Sequence, residues 1–187
     1  IRDSSKPVGT PSVKTGNEES PALSSEDATA YRALVAKANY LSQDRVDLGY
    51  PVKELCRKMS KPTKADWESL KRLGRYLIDK TRVIVGFPYQ EKPEAIEIYV
   101  DTDHAGCIET RKSTSGGIAM HGNHNIKTWS STQQVIALSS GEAEYYGMVK
   151  GAGNALGISG VFKDMGIQYD VVLYTDSSAA KGISSRR

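Results

Sequence analysis

Ile96-Glu97-Ile98-Tyr99-Val100-Asp101-Thr102-Asp103 is the stretch on which the reading of this chain turns. Side chains alternate along it with a period of two, which puts Ile96, Ile98 and Val100 on one face of a strand that ends in carboxylates. Downstream, Val171-Val172-Leu173-Tyr174-Thr175-Asp176 repeats the plan of an apolar strand ending in an acid. Between the two, Ser115 to Met120 and Ile126 to Trp129 read as strands joined by His121-Gly122-Asn123-His124-Asn125, a run rich in hairpin-turn residues. A helix is expected from about Ser140 to Leu156, with Ser139-x-x-Glu142 as its start signal, and Ser177 to Ile183 reads as the first turns of another. Upstream, Arg82-Val83-Ile84-Val85-Gly86-Phe87 reads as a short strand closed by Pro88. The order of strands, helix, strand and helix predicts an α/β layered domain with a mixed sheet over residues 82–187.

The text before residue 82 has a different texture. Residues 1–25 hold Pro7, Pro11 and Pro21 among Ser, Thr, Gly and charge, a linker composition that buries little. Three helices are expected over 26–81. The first follows Ser24-x-x-Asp27 and repeats Tyr31, Leu34, Val35, Ala38 and Leu41 at helical spacing. The second opens at Pro51 with Val52, Leu55, Cys56 and Met59 on one face. The third starts at a Thr63-x-x-Asp66 capping box and lines Trp67, Leu70, Leu73 and Leu77 along a stripe, with Lys71, Arg72 and Arg75 largely off it.

Bulk properties narrow the class. Of 187 residues, 39% are hydrophobic and 25% charged, enough to bury a core, while no apolar stretch approaches the ~20 residues of a membrane span. Two cysteines, Cys56 and Cys107, make no disulfide framework and suit a reducing compartment. The formal charge of +3 is unevenly spread: residues 31–82 carry thirteen basic and six acidic side chains, whereas 83–187 carry nine and eleven. A phosphate-backbone grip beside a metal-binding site produces that asymmetry, and so does a solvated helical surface. A chain that starts at Ile1 and stops at Arg187 without a terminating motif reads as a piece of a longer polypeptide.

Asp101 and Asp176 close strands at the rim where α/β sheets assemble sites, although an acid there is also an ordinary cap or turn residue. Glu142 is placed to serve as the capping-box carboxylate. Glu144, two positions on and about 200° round the helix, is then free to point at the strand ends. Three carboxylates presented by strand end, helix and strand end can share a pair of divalent cations, as phosphodiester hydrolysis requires. Hard oxygen ligands favour magnesium or manganese over zinc. His121-x-x-His124 lies in a turn with no cysteine nearby and is a weak zinc pattern; Cys107 has no accompanying histidine and acid to make it a nucleophile.

Many phrases occurring in one order then carry a family resemblance. They are Tyr31-Arg32-Ala33-Leu34-Val35, Met59-Ser60-Lys61-Pro62-Thr63, Lys71-Arg72-Leu73-Gly74-Arg75-Tyr76-Leu77, Asp101-Thr102-Asp103-His104-Ala105-Gly106 and Arg111-Lys112-Ser113-Thr114-Ser115-Gly116. Trp129-Ser130-Ser131, Ala137-Leu138-Ser139-Ser140-Gly141-Glu142-Ala143-Glu144-Tyr145 and Tyr174-Thr175-Asp176-Ser177-Ser178-Ala179-Ala180 complete the set. Residues from about 26 to 187 resemble the end of the reverse transcriptase and the start of the ribonuclease H domain in copia-type LTR retrotransposon Pol polyproteins. The resemblance implies a ribonuclease H-like mixed sheet with flanking helices, C-terminally truncated and preceded by a small helical connection segment. It implies hydrolysis of the RNA strand of RNA–DNA hybrids, with Asp101, Glu144 and Asp176 as catalytic, metal-binding carboxylates for two Mg2+ or Mn2+ ions. Asp103 and Glu142 become supporting residues, and Arg111, Lys112, Ser113, Thr114 and Ser115 a nucleic-acid-binding loop. The implied partners are the hybrid and the rest of the polyprotein, including reverse transcriptase and integrase, with no membrane. The implied location is a cytoplasmic virus-like particle, with later nuclear steps for other parts of the parent. His104 stands where the family usually has Trp, and Gly141 where it usually has a hydroxyl residue. A fourth carboxylate, the last strand and the last helix are expected beyond Arg187. The rival reading is a non-catalytic nucleic-acid-binding connection module, or an inactive fragment of such an element.

Overall fold

The structure, a computed structural model, describes residues 6–13 and 20–186. Residues 1–5 and 14–19 of the expected linker, and Arg187, lie outside the described residues. The chain divides into two compact units, Ile1–Val85 and Gly86–Arg187.

The first unit is helical. Helix α1 (Ser25–Leu41) is capped by Ser24, whose Oγ accepts the Asp27 amide at 3.1 Å. A 3-10 turn (Val46–Leu48) leads into α2 (Gly49–Arg57), which therefore begins two residues before the Pro51 start expected from sequence. Pro51 still lies in the first turn, where its missing N–H costs no hydrogen bond. Helix α3 (Lys64–Asp79) has the full Thr63/Asp66 capping box. The stripes converge as expected: Tyr31, Val35, Leu48, Val52, Leu55, Leu70, Leu73 and Tyr76 form one buried cluster. Its polar centre was not legible in advance. Arg45, 6% exposed, forks onto Asp47 at 2.9 and 2.7 Å, and Tyr76 Oη donates to Asp47 Oδ2 at 2.8 Å. Part of the expected linker is bound rather than loose. Val8 packs against the core, Arg72 donates to Thr10 Oγ1, Arg75 donates to the Lys6 carbonyl, and Ala22 bridges to Thr63.

The second unit is α/β, a mixed four-stranded sheet with flanking helices. Its elements are β1 (Ala95–Asp103), β2 (Thr114–His121), β3 (His124–Thr132), α4 (Ser140–Asp164), β4 (Asp170–Tyr174) and α5 (Ser178–Ser184). Strand order is β3-β2-β1-β4, with β1 antiparallel to β2 and parallel to β4. Ile96, Ile98 and Val100 turn to one face, as their alternation predicts, and pack with Ala119, Ala155 and Tyr169 under α4. The β2–β3 turn is two residues, with Gly122 at φ 58° supplying the left-handed conformation such a turn needs.

Two expectations fail here. Residues 82–87 form no strand, and Val83, Ile84, Val85 and Phe87 stay exposed. Their β-branched character is real, but no strand pairs with them, and β propensity acts only through such neighbours. Helix α4 also runs eight residues past Leu156, because Ile158 and Phe162 continue its core-facing stripe and outweigh the cost of its glycines.

Candidate metal centre

Three elements bring the site together. Asp101 sits near the end of central strand β1, and its Oδ1 accepts the Thr102 amide at 2.9 Å. Asp176 follows β4, the parallel neighbour of β1, just before Ser177, whose Oγ caps α5 by accepting the Ala180 amide at 3.1 Å. Glu144 comes from the beginning of α4, where Ser139 Oγ accepts the Glu142 amide at 3.1 Å. Close approach is what makes the cluster possible. Gly147 leaves no room for a Cβ, which would stand 2.5 Å from Thr102 Oγ1, so α4 lies almost directly on β1. At Gly141 a Cβ would meet the Ala179 Cβ at 2.9 Å, so glycine there lets α5 dock beside the start of α4.

The result is one carboxylate oxygen from each of Asp101, Glu144 and Asp176, all within 4.8 Å of one another. Like charges this close repel, and Glu144 is the least exposed of the three. Burial raises its pKa above the ordinary value, with further upward pushes from Asp101 and then Asp176. Thr102 draws it part of the way back through its amide and hydroxyl, although Thr102 Oγ1 makes no well-formed hydrogen bond. Glu144 Oε2 is buried and accepts no hydrogen bond. A buried, unsatisfied carboxylate oxygen facing two further carboxylates fits a divalent cation, whose charge would offset both the repulsion and the missing partner.

The other candidate residues fall outside the cluster. Asp103 ends β1 and lies against Gly106, where a Cβ would come 2.1 Å from its Oδ2. Glu142 Oε2 accepts the Leu138 amide at 2.8 Å, one residue further back than a strict capping box. In the loop between β1 and β2, Arg111 is exposed at φ 56° and Lys112 half-buried. Ser113 is fully buried, its Oγ accepting the Ala105 amide, and Ser115 is 2% exposed, its Oγ accepting from Gln133. Thr114, half-buried, opens β2. Of these five residues only Arg111 is fully exposed, and the same loop also exposes His104, Ile108, Glu109 and Thr110.

At the far end of the sheet, His121 packs against Phe162 and Tyr169, which also contact each other, while His124 contacts Gln90 and the Pro88 carbonyl. Gln133 was missed altogether: a glutamine in a polar run carries no periodic or motif signal.

Comparison with known proteins places the chain in context. It is 33% identical over 183 residues, 94% of its length, to the retrovirus-related Pol polyprotein from transposon RE2 of Arabidopsis thaliana, covering 12% of that protein. It is 34% identical over 142 residues to the uncharacterized mitochondrial protein AtMg00810 of the same plant, covering 75% of the chain and 58% of that protein. It is 33% identical over 126 residues to the secreted RxLR effector protein 161 of Plasmopara viticola, covering 67% of the chain and 82% of that protein. No protein-family profile matches the chain, and neither does any solved structure. The chain is thus a homologue of retrovirus-related Pol polyproteins from transposons, and it spans about an eighth of the length of the RE2 polyprotein.

Proposed function

We propose that the second unit is a ribonuclease H-like nuclease segment that hydrolyses the RNA strand of RNA–DNA hybrids. The observation that carries this reading is the meeting of Asp101, Glu144 and Asp176 within 4.8 Å at one end of a mixed sheet. Asp101, Glu144 and Asp176 would hold two Mg2+ or Mn2+ ions, which supply a hydroxide nucleophile and neutralise charge on the departing 3′ oxygen. The protein's own share is to hold the three carboxylates ready. Thr102 steadies Asp101 through its amide, the Ser139 and Ser177 caps fix the helix starts, and Gly147 sets the depth of Glu144. Arg111 and Lys112 supply cations for a phosphate backbone. Products would be a 5′ phosphate and a 3′ hydroxyl, and the rest of the Pol polyprotein would supply the hybrid.

The test is cleavage of a labelled RNA strand annealed to DNA, in Mg2+ and in Mn2+. The wild-type chain is expected to cut the hybrid, and Asp176→Asn to be inactive. A folded wild-type chain that binds the hybrid without cutting it would overturn the catalytic reading and leave a non-catalytic nucleic-acid-binding module.

A further inference from the structure

We propose that Gln133 is a positioning residue that fixes where Glu144 stands relative to Asp101 and Asp176. The inference deepens the metal-site reading and rests on it for one of its two tests. Gln133 directly follows β3, is 8% exposed, and donates its own amide to the Ser113 carbonyl at 2.8 Å. Its side-chain Nε2 donates to Ser115 Oγ at 2.9 Å and to the Ala143 carbonyl at 2.8 Å. Ala143 is fully buried and immediately precedes Glu144, while Ser115 is the register partner of Thr102, next to Asp101. One side chain therefore ties the strands that present Asp101 to the helical turn that presents Glu144.

The orientation of the amide follows from chemistry. The Ala143 carbonyl can only accept, so the nitrogen must face it, and Ser115 Oγ takes the second hydrogen. Both hydrogens are thereby used. Gln133 Oε1 is left buried with no partner, a cost the fold carries for the sake of the donor end. Groups that orient ligand residues typically change metal affinity by ten- to a hundredfold when removed.

The experiment is a calorimetric Mn2+ titration of the whole chain, with a thermal melt of each variant. Gln133→Met keeps the volume and removes the donors; it is expected to fold and to bind Mn2+ about tenfold more weakly. Ser115→Ala, a milder cut in the same tie, is expected to weaken binding less, in the same direction. Ile98→Val loosens the core beneath the sheet without touching the tie, and Gln134→Met alters the exposed neighbour. Both should keep wild-type affinity. If Gln133→Met does not fold, Ser115→Ala carries the comparison. Wild-type affinity in the folded tie variants would overturn the proposal, as would an equal loss in Ile98→Val.

A wild-type chain that binds no Mn2+ sinks the metal reading by itself. Positioning is then decided by crystal structures of the wild type and Gln133→Met. Displacement of the Glu144 carboxylate from Asp101 and Asp176 supports it, and an unchanged cluster overturns it.

Discussion

Glu144 and Asp47 show opposite uses of a partly buried carboxylate. Glu144 has a pKa raised above its ordinary 4.5 by burial and by two neighbouring acids. Its contribution to stability is therefore full below that value and is lost as pH rises through the higher folded value. In the metal-free chain, deprotonating this group therefore costs stability. Glu144→Gln is expected to raise the melting temperature by about 2 °C at pH 7 while abolishing hybrid cleavage. Asp47 has a pKa lowered below 3.8, chiefly by its hydrogen bonds with Arg45, against the opposing cost of burial. Its contribution is present above 3.8 and is lost as pH falls through the lower folded value. Asp47→Asn strands the buried Arg45 guanidinium and should cost about 2 kcal/mol in denaturant unfolding. The variant should also lack that part of the acid dependence. Of these two acids only Glu144 was legible in the sequence. The Arg45–Asp47–Tyr76 network joins residues with no common period, and its closest pair, Arg45 and Asp47, sits two residues apart at a single 3-10 turn.

At the scale of elements, helix α4 does two jobs that its glycines separate. Gly147 and Gly151 face the sheet, where a Cβ would come 2.5 Å from Thr102 Oγ1 or 2.6 Å from Val100 Cγ1. Gly157 faces open space. Gly147→Ala should lower stability by about 1 kcal/mol, overpacking exceeding the gain in helix propensity, and should weaken Mn2+ binding by lifting Glu144 off β1. Gly157→Ala should instead raise stability by about 0.5–1 kcal/mol and leave Mn2+ binding alone. Sequence reading ended the helix near Leu156, eight residues short of its end at Asp164. Only packing shows which of its glycines the fold requires. The caps at Ser24, Thr63 and Ser139 were readable because capping is local, written in residues three apart. The missing strand at 82–87 shows the converse, since pairing depends on what the rest of the sheet offers.

For the molecule as a whole, two cores sit in two units, and each responds to its own titrating groups. In the sheet unit, burial holds the His121 pKa below 6.5, helped by the nearby His124 and Lys92. The neutral ring is the form the fold keeps, so its contribution is present above 6.5 and is lost as pH falls through the lower folded value. Melting of this unit should drop as pH falls below about 6.5, and His121→Phe should flatten that dependence. The α/β order and the three carboxylates were legible because alternation, strand-end acids and a helix start are each written in a few consecutive residues. The tie through Gln133 was not, because it joins the end of β3, β2 and α4 only after the chain has folded.

The measurement that bears most directly on the metal centre is anomalous diffraction at the manganese edge from crystals equilibrated with Mn2+. The account predicts density between Asp101, Glu144 and Asp176, lost in Asp101→Asn. Manganese bound elsewhere, or none at this cluster in a well-ordered chain, would contradict it.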